Sequence, residues 1–357
     1  MLEESGPLPT HSSEATSSLA PAPVLQVSGL EVNYGRTGNR TLKAVNDVSF
    51  MLGAGRTLGI VGESGSGKTT VVRGILRIID PPGVISSGSV KFHSRELLDL
   101  PEREMTKLRG RDIAMIFQDP VGSLDPLKTI GQQFVETIQT HLRESKTVAR
   151  RRSLEVLSLV GVPHPQDAMK SYPMEFSAGM TQRMMIGLAI SCEPDVILAD
   201  EPTTGLGVVL QASILAELKS IQRRLGTAIV MITHDMGVVA QVADDIMVMY
   251  GGRCVEYGPK DQVLTRPLHP YTLGLMRSVP EMDADKRQRL KVIPGFPPDL
   301  AMLPPGCPFF DRCYRAHDEF RETPPPLVEL EPGHFVACHS PVPLEERMEE
   351  IDVGAIA

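Results

Sequence analysis

The stretch that decides the fold of this chain is Gly62-Glu63-Ser64-Gly65-Ser66-Gly67-Lys68-Thr69, which fits the pattern G-x4-G-K-[ST] in full. It follows a short apolar run that predicts a strand, and it precedes a stretch from Lys68 to about Ile79 that predicts a helix. In that setting the glycines let backbone N–H groups converge on phosphate oxygens, and the helix N-terminus adds its dipole. Lys68 is placed to reach the β- and γ-phosphates, and the Thr69 hydroxyl is placed to ligate Mg²⁺. The motif predicts a nucleotide-binding loop, which many unrelated functions share.

Two acids follow another buried run, Val196–Leu198, and they predict the second half of the nucleotide site. Asp200 is placed to hold Mg²⁺ in its inner shell, as a Walker-B carboxylate does. Glu201, one residue on, is suited to orient and deprotonate the attacking water. The alternative is an ordinary helix N-cap before Pro202, which the phosphate loop upstream disfavours.

Two further polar residues follow predicted strands. His234 comes after the buried run Ala228–Ile232, and Gln118 comes after the run Ile113–Phe117. Ligands of α/β sheets lie at the carboxyl ends of the parallel strands. The imidazole of His234 is therefore predicted to bond a γ-phosphate oxygen, and Gln118 to touch Mg²⁺ or the attacking water. A purely structural histidine is the alternative for His234.

The repeated strand–helix order predicts an α/β fold with a parallel sheet covered on both faces and a helical insertion. The expected strands are 24–32, 42–51, 57–61, 89–92, 113–117, 196–198 and 228–232, and the expected helices are 68–79, 96–112, 130–142 and 149–160. Ser87-Gly88 predicts a turn before the fourth strand. After about residue 262 proline rises and periodicity fades, which predicts a loop-rich extension.

Composition narrows the class of protein. The chain has 357 residues, or about two domains at roughly 150 residues each. A net charge of −8 and the lack of tryptophan disfavour nucleic-acid binding. Five cysteines are too few for a disulfide scaffold, and no apolar run reaches the roughly 18 residues of a membrane span. We therefore expect a soluble, cytoplasmic protein.

With Ser177-Ala178-Gly179-Met180-Thr181-Gln182-Arg183 added, the order of motifs over residues 24–260 resembles the ATP-binding subunit of an ABC transporter, with Tyr34 at the adenine-stacking position. Further stretches resemble the oligopeptide/dipeptide importer ATPases. These are Phe117-Gln118-Asp119-Pro120, Ser123-Leu124-Asp125-Pro126, Arg266-Pro267-Leu268-His269-Pro270-Tyr271-Thr272, Ile293-Pro294-Gly295 and Pro304-Pro305-Gly306-Cys307-Pro308-Phe309. The resemblance implies a P-loop NTPase core of the ABC ATPase type with an N-terminal antiparallel β subdomain. The resemblance assigns residues 24–262 to an ABC ATPase domain, with a helical subdomain at about 120–182, and residues 263–357 to an importer-type extension. Residues 1–23 are rich in Ser, Pro, Ala and Glu, and this composition predicts a disordered tail.

The resemblance also implies a site that binds ATP and Mg²⁺ and is completed by a second ATPase subunit. The implied nucleotide-binding residues are Tyr34, Gly62, Glu63, Ser64, Gly65, Ser66, Gly67, Lys68, Thr69 and Thr70. The implied Mg²⁺ ligands are Thr69, Gln118 and Asp200, and the implied catalytic residues are Glu201, His234, Gln118 and Lys68. The signature residues Ser177, Ala178, Gly179 and Met180 would close over the partner's nucleotide.

Partners and location also come from the resemblance. It implies two transmembrane permease subunits, a second ABC ATPase subunit, and indirectly a periplasmic or extracellular solute-binding protein. It implies a peripheral protein on the cytoplasmic face of the plasma (inner) membrane, with no nucleic-acid partner. The loop after Gln118 would dock a cytoplasmic helix of the permease.

Two departures from the family pattern fall on the face offered to the partner subunit. Ala178 stands where the signature usually has glycine, and Gly205-Leu206-Gly207 stands where the family usually has Ala-Leu-Asp. One hypothesis is an asymmetric heterodimer in which the site that this chain's signature completes is impaired. The alternative is that alanine is tolerated and both sites hydrolyse ATP.

The third departure concerns cysteines, four of which bind an iron–sulfur cluster in some members of the subfamily. Here Cys307, Cys313 and Cys338 occupy three of those positions, and Phe320 stands at the fourth. Three interpretations stay open: a cluster, a Cys₃His zinc site with His317, or thiols packed in a loop. The two remaining cysteines, at positions 192 and 254, lie beside predicted buried elements and are expected in the core.

The sequence thus predicts an ATPase that powers solute import, with peptides as the leading solute. Nickel chelates, oligosaccharides and opines stay open as solutes. The alternatives are a soluble ABC-type ATPase that acts on nucleic acid or ribosomes, and a catalytically impaired regulatory subunit. Intact Glu201 and His234 weigh against the last of these.

Overall fold

The computed structural model of the chain describes residues 22–37, 40–278 and 292–348. The predicted tail of residues 1–23 lies outside the described residues except for its last two positions. The strands β1 to β12 are Pro23–Thr37, Arg40–Gly53, Thr57–Val61, Gly83–Phe92, Arg95–Glu96, Ile113–Ile116, Val196–Asp200, Ala228–Thr233, Asp245–Tyr250, Arg253–Pro259, Val328–Glu331 and His334–Val336.

The helices alternate with these strands through most of the chain. Helices α1 to α12 are Lys68–Ile75, Glu102–Leu108, Pro120–Ser123, Ile130–Leu142, Lys146–Leu159, Pro165–Ala168, Ala178–Ile190, Val208–Leu225, Met236–Val242, Lys260–Thr265, Pro270–Arg277 and Leu344–Met348. Three 3-10 turns occupy Pro173–Glu175, Phe310–Arg312 and Asp318–Arg321. None of the helices in the described ranges is both long and apolar enough to cross a membrane.

The chain divides into two compact units, and the first comprises Met1–Leu52, Thr57–Leu98 and Thr233–Ala357. One of its sheets has the strand order β2-β1-β4-β5, with β1 antiparallel to β4 and β4 antiparallel to β5. Its other strands lie in the order β11-β12-β10-β9-β3, of which β3 and β9 are parallel. Every residue of β3 is buried, as expected for a parallel strand covered on both faces.

The second unit comprises Gly53–Arg56 and Asp99–Ile232. Its strands β6, β7 and β8 pair in parallel in that order. Helix α4 begins at a capping box in which Thr129 and Gln132 satisfy each other's backbone N–H groups. Helix α4 has the predicted bounds, whereas α2 spans only part of the predicted 96–112 because Pro101 precedes it and a left-handed Gly110 follows it.

The turn predicted at Ser87-Gly88 is wrong, because β4 runs without interruption through this dipeptide. The β1–β4 pairing shifts register between Ser28 and Glu31, which is the geometry of a β-bulge. Gly88 lies opposite this irregularity with φ of 113°, and a Cβ on it would lie 2.7 Å from the carbonyl oxygen of Gly29. Glycine is therefore required at position 88 because two strands approach closely there. In the sequence, a glycine at such a position looks the same as a glycine in a turn.

The proline-rich C-terminal extension supplies part of the first unit's core. Tyr271, Phe309 and Phe310 pack in one buried cluster with Val61 of β3 and Val248 of β9. Strand β12 also pairs antiparallel with β10, so the extension adds strands as well as loops. Apolar burial of this kind contributes about 1.5–3 kcal/mol per large side chain, which fixes the extension against the end of β3.

Candidate functional site

The phosphate loop joins β3 to α1, as the motif predicts. Gly67 has φ of 100° at the N-cap of α1, and a Cβ on it would lie 2.2 Å from the carbonyl oxygen of Ala44. A Cβ on Gly62 would lie equally close, at 2.2 Å, to the carbonyl oxygen of Met249. Glycine is therefore required at both ends of the loop, because the backbone has positive φ there and leaves no room for a Cβ. Such a backbone can wrap around a phosphate group.

Lys68 starts α1 inside this loop. Its side chain is buried, and its Nζ donates to the carbonyl oxygens of Gly62 at 2.7 Å and Glu63 at 2.9 Å. The ammonium therefore stands within the loop, where phosphate oxygens can replace the two carbonyls as acceptors. Thr69 and Thr70 follow in the first turn of α1 and are partly accessible.

Two residues of the C-terminal extension contact the loop, and the sequence did not assign a role to either of them. The Tyr271 hydroxyl accepts the Glu63 N–H at 2.8 Å, and the Arg312 guanidinium forms a two-pronged ion pair with the Glu63 carboxylate. The segment around Tyr271 marked the resemblance to importer ATPases, which was the signal available. Nothing in the spacing pointed to Arg312.

The first unit carries two more predicted site residues. Tyr34 is half-buried in β1, opposite Gly83 of β4. A Cβ on Gly83 would lie 2.6 Å from the Tyr34 ring, so the two residues are in close contact. His234 is exposed directly after β8, and the next residue, Asp235, caps α9 by accepting from Gly237 N. An exposed imidazole at a strand end is accessible to a ligand, unlike a histidine packed in the core.

The second unit carries Glu201, the predicted catalytic base, and the residues around it. Asp200 is buried at the end of β7, and Glu201 follows with φ of 46°, in the left-handed region. Oε2 of Glu201 accepts from Thr204 Oγ1 at 2.8 Å and from Gln118 Nε2 at 3.3 Å. A strained backbone and two donors aim this carboxylate, which is the arrangement that a positioned base requires.

The signature stretch forms the N-terminus of α7 in the same unit. Ser177 and Ala178 are exposed, and the Ser177 hydroxyl makes no capping bond to the helix within the described residues. Gly179 is buried, and a Cβ there would meet the Leu210 side chain at 2.3 Å, so this glycine serves packing against α8. Met180, the last predicted signature residue, follows it in the helix.

An ion pair anchors the signature helix to α8. Arg183 donates to the Glu217 carboxylate and, at 2.8 Å, to the carbonyl oxygen of Val160. Burial raises the pKa of Glu217 to about 7, an effect that Arg183 partly opposes. The pair therefore holds α7 in place from inside the unit, while Ser177 and Ala178 are exposed at the start of the helix.

The three cysteines at 307, 313 and 338 line one cavity together with Phe320. Burial raises the pKa of Cys307 to about 11 and that of Cys338 to about 12, so these thiols are protonated at neutral pH. His317 and His339 both make ring contacts with Phe320, whose side chain stands where a fourth thiolate is required. Within the described part of the chain no group of three or more His, Cys, Asp or Glu side chains is arranged to hold a metal. These residues do not fit a four-thiolate cluster.

The other two cysteines agree with their predicted place. Cys192 and Cys254 are both buried in the core. Burial raises the pKa of both thiols, as expected for packed side chains that take no part in chemistry.

The phosphate loop after a buried parallel strand, the strand-end acids and the signature helix together define a P-loop ATPase of the ABC class. Two comparisons of folds agree with this class. The chain superposes on the dimeric MJ0796 bacterial ABC transporter cassette with a TM-score of 0.60 and 26% identity, covering 66% of this chain and 98% of that one. A second structure of that cassette, bound to ADP and Pi, gives a TM-score of 0.59 at the same identity and coverage.

Sequence comparisons narrow the class further. A family profile described as ABC transporter matches residues 45–204, and the profile for the C-terminal region of oligopeptide/dipeptide transporters matches residues 255–319. The oligopeptide transport ATP-binding protein OppD of Salmonella typhimurium is 46% identical over 92% of this chain and 97% of its own length. The dipeptide transport ATP-binding protein DppD of Bacillus subtilis is 46% identical over 81% of this chain and 86% of its own length. The chain belongs to the family of oligopeptide/dipeptide ABC transporter ATP-binding proteins and is an ABC-type ATPase.

Proposed function

We propose that this chain hydrolyses ATP, with Mg²⁺, to power the import of peptides through membrane-embedded permeases. The observation that carries the proposal is an intact phosphate loop joined to an extension of the oligopeptide/dipeptide transporter type. The matched relatives are named transport proteins, which favours this function over an ATPase for nucleic acid or ribosomes. Because the chain would meet the membrane only through permeases, we place it peripherally on the cytoplasmic face of the plasma (inner) membrane.

The proposed chemistry assigns one role to each part of the site. Tyr34 stacks on adenine, the loop N–H groups and Lys68 bind phosphates, and His234 bonds a γ-phosphate oxygen. Thr69, Gln118 and Asp200 would hold Mg²⁺, which would supply positive charge to offset that of the phosphates. The Glu201 carboxylate, oriented by Thr204, accepts the proton of the attacking water.

A pull-down tests this function as a whole. The tagged chain is recovered from gently solubilised membranes, and its co-purifying proteins are identified by mass. We expect two multi-span permeases and a second, different ATPase. Recovery of ribosomal or nucleic-acid partners with no membrane protein would contradict the transport function and leave only the ATPase chemistry.

We also propose that the two ATP sites of the assembled ATPase pair are unequal. Ala178 is exposed at the first position of α7, so its methyl group stands on the signature surface offered to the partner's nucleotide. Gly207 is the N-cap of α8 and stands where the family usually has aspartate, so the carboxylate is lacking. Both departures affect the site that this chain completes for its partner, whereas the residues for its own nucleotide are intact.

Restoring Ala178→Gly together with Gly207→Asp is expected to raise ATP turnover of the assembled transporter roughly twofold, as one working site becomes two. The backbone at position 207 suits an N-cap aspartate, with φ of −67°, and a Cβ there meets no described atom within 4 Å. Gly207→Asn with Ala178→Gly is the matched control, because asparagine caps the helix without the charge. An unchanged turnover in the restored variant would show that both sites already work.

We also propose that a surface of the second unit, which carries the signature helix, docks the permease. The segment from position 117 to position 127, which includes Gln118, exposes Phe117, Val121 and Leu127, and the Leu127 side chain is 85% exposed. Three exposed large apolar side chains so close in sequence are typical of an interaction site. A cytoplasmic helix of a permease, with an apolar face, fits this segment.

Leu127→Glu is expected to reduce co-purification of the permeases about tenfold or more, since a charge would be buried in an apolar contact. The MgATP affinity of the isolated chain should stay at its unaltered value. Phe296→Glu is the matched control, because Phe296 is 90% exposed in the extension and lies outside this segment. Equal permease recovery with Leu127→Glu and Phe296→Glu would rule out this docking surface.

A further inference from the structure

Glu63 of the phosphate loop is held at three points at once. Its N–H donates to the Tyr271 hydroxyl at 2.8 Å, and its carbonyl oxygen accepts from Lys68 Nζ at 2.9 Å. Its carboxylate accepts from both terminal nitrogens of Arg312, at 2.6 Å and 3.0 Å. Two of these three contacts come from the C-terminal extension, more than 200 residues further along the chain.

Contacts with residues other than Glu63 also hold the guanidinium of Arg312 in its orientation. Its Nε donates to the carbonyl oxygen of Pro294 at 2.8 Å, and one terminal nitrogen also donates to the Tyr250 hydroxyl at 3.3 Å. The guanidinium carbon lies 5.8 Å from the Tyr250 ring centroid and 6.0 Å from that of Phe309. A planar fork held in this way binds a carboxylate through two parallel bonds without losing further side-chain freedom.

Tyr271 is equally constrained. Its side chain is fully buried, and its ring centroid lies 4.6 Å from that of Tyr250 and 5.4 Å from that of Phe309. Its backbone N–H donates to His269 Nδ1 at 3.0 Å, which caps the start of α11. The hydroxyl that receives the Glu63 N–H is therefore a fixed point of the extension.

The Glu63–Arg312 ion pair also affects the charge of the phosphate loop. Glu63 places a carboxylate in a loop that binds a polyphosphate, and like charges at short range repel. Arg312 is buried and neutralises that carboxylate. Without the guanidinium, the partly exposed Glu63 side chain would turn toward water. The Glu63 backbone, whose carbonyl oxygen accepts from Lys68 Nζ, would then lose its fixed position.

We propose that Arg312 and Tyr271 are positioning residues for ATP binding, which hold the phosphate loop through Glu63 in the conformation that receives the nucleotide. The extension thus sets the ATP affinity of the core, in addition to whatever contacts it makes with partners. This inference rests on the proposed nucleotide site. Both residues act through Glu63 and Lys68 and need no contact with ATP.

The first test measures MgATP binding to the full-length chain by calorimetry. Arg312→Met is expected to raise Kd about tenfold, within the range of usual coupling between sites, with kcat at saturating ATP retained. Arg321→Met is the matched control, because Arg321 is another arginine of the extension whose ion pair, with Asp311, is exposed. A Kd in Arg312→Met equal to that of the unaltered chain would overturn the inference and leave the proposed function standing.

The second test asks whether the effect passes through Glu63. In a Glu63→Gln background, the added Arg312→Met change is expected to alter Kd by less than about twofold, since the partner charge is already gone. A full tenfold effect in that background would overturn the inference. A chain that binds no MgATP even when unaltered would instead overturn the proposed function.

A third variant keeps the inference testable if Arg312→Met does not fold. Arg312→Lys retains the charge but loses the two-pronged geometry, and it is expected to raise Kd roughly threefold. Unaltered affinity in Arg312→Lys would overturn the inference. Tyr271→Phe removes the acceptor of the Glu63 N–H and is expected to shift Kd in the same direction.

Discussion

Replacing Glu201 with glutamine is expected to lower the rate of ATP hydrolysis by about 10²–10⁴-fold while MgATP binding is retained, the loss typical of removing a general base. Glutamine keeps the size of the side chain and its bond from Thr204, but it cannot accept the proton of the attacking water. The measurement is steady-state phosphate release by the assembled transporter, together with calorimetric MgATP binding by the chain alone.

The matched control for this variant is Glu193→Gln in the same unit. Glu193 also has a left-handed backbone, with φ of 53°, but its carboxylate is exposed and pairs with Arg152. We expect hydrolysis to stay at the unaltered rate in this control. If Glu201→Gln kept more than about a tenth of the unaltered turnover, Glu201 would be excluded as the base.

Replacing Glu256 with alanine is expected to lower the free energy of unfolding by about 3–5 kcal/mol, because three buried donors would be left without an acceptor. Glu256, in β10, is fully buried and accepts from three donors. Those donors are Leu268 N and His269 N, both at 2.8 Å, and His334 Nε2, at 2.8 Å. The carboxylate thus joins the start of the extension and strand β12 to the ATPase core.

The measurement is denaturant unfolding followed by circular dichroism, because the chain has no tryptophan to report it. Glu256→Gln is expected to lose about 1–3 kcal/mol, since one amide oxygen replaces two carboxylate oxygens as acceptor. Glu329→Ala is the control, because Glu329 is exposed and its carboxylate accepts the Gly333 N–H within the same turn. Equal midpoints for Glu256→Ala and Glu329→Ala would contradict this role of Glu256.

The sequence predicted the strands and the helix start around the candidate site well. The bounds of β3 and the start of α1 agree with the motif, and Asp200 ends a buried strand as expected. Each of these predictions depends on residues within a few positions of one another. Glycine conformation, strand burial and helix initiation are short-range effects, so a single stretch of sequence carries their signal.

Other features have an ambiguous local signal or none. Gly88 predicts a turn but lies within β4, because glycine is needed both where a chain reverses and where two strands approach closely. The loop-rich extension also contributes Phe309 and Phe310 to the core and β12 to a sheet, and neither contribution has a signal in the sequence. Proline-rich sequence has little periodicity, so its buried side chains give no pattern that distinguishes core from surface.

The sequence by itself determined the class of this protein and the position of its phosphate loop, and it predicted Asp200 and Glu201 at a strand end, because these features are encoded in contiguous motifs. Only the tertiary structure showed that Arg312 pairs with Glu63 across 249 residues and that Glu256 receives bonds from His334 across 78. Which distant residues meet is decided by burial of the whole core and by the satisfaction of buried charges. That selection depends on the folded chain as a unit, and no local pattern records it.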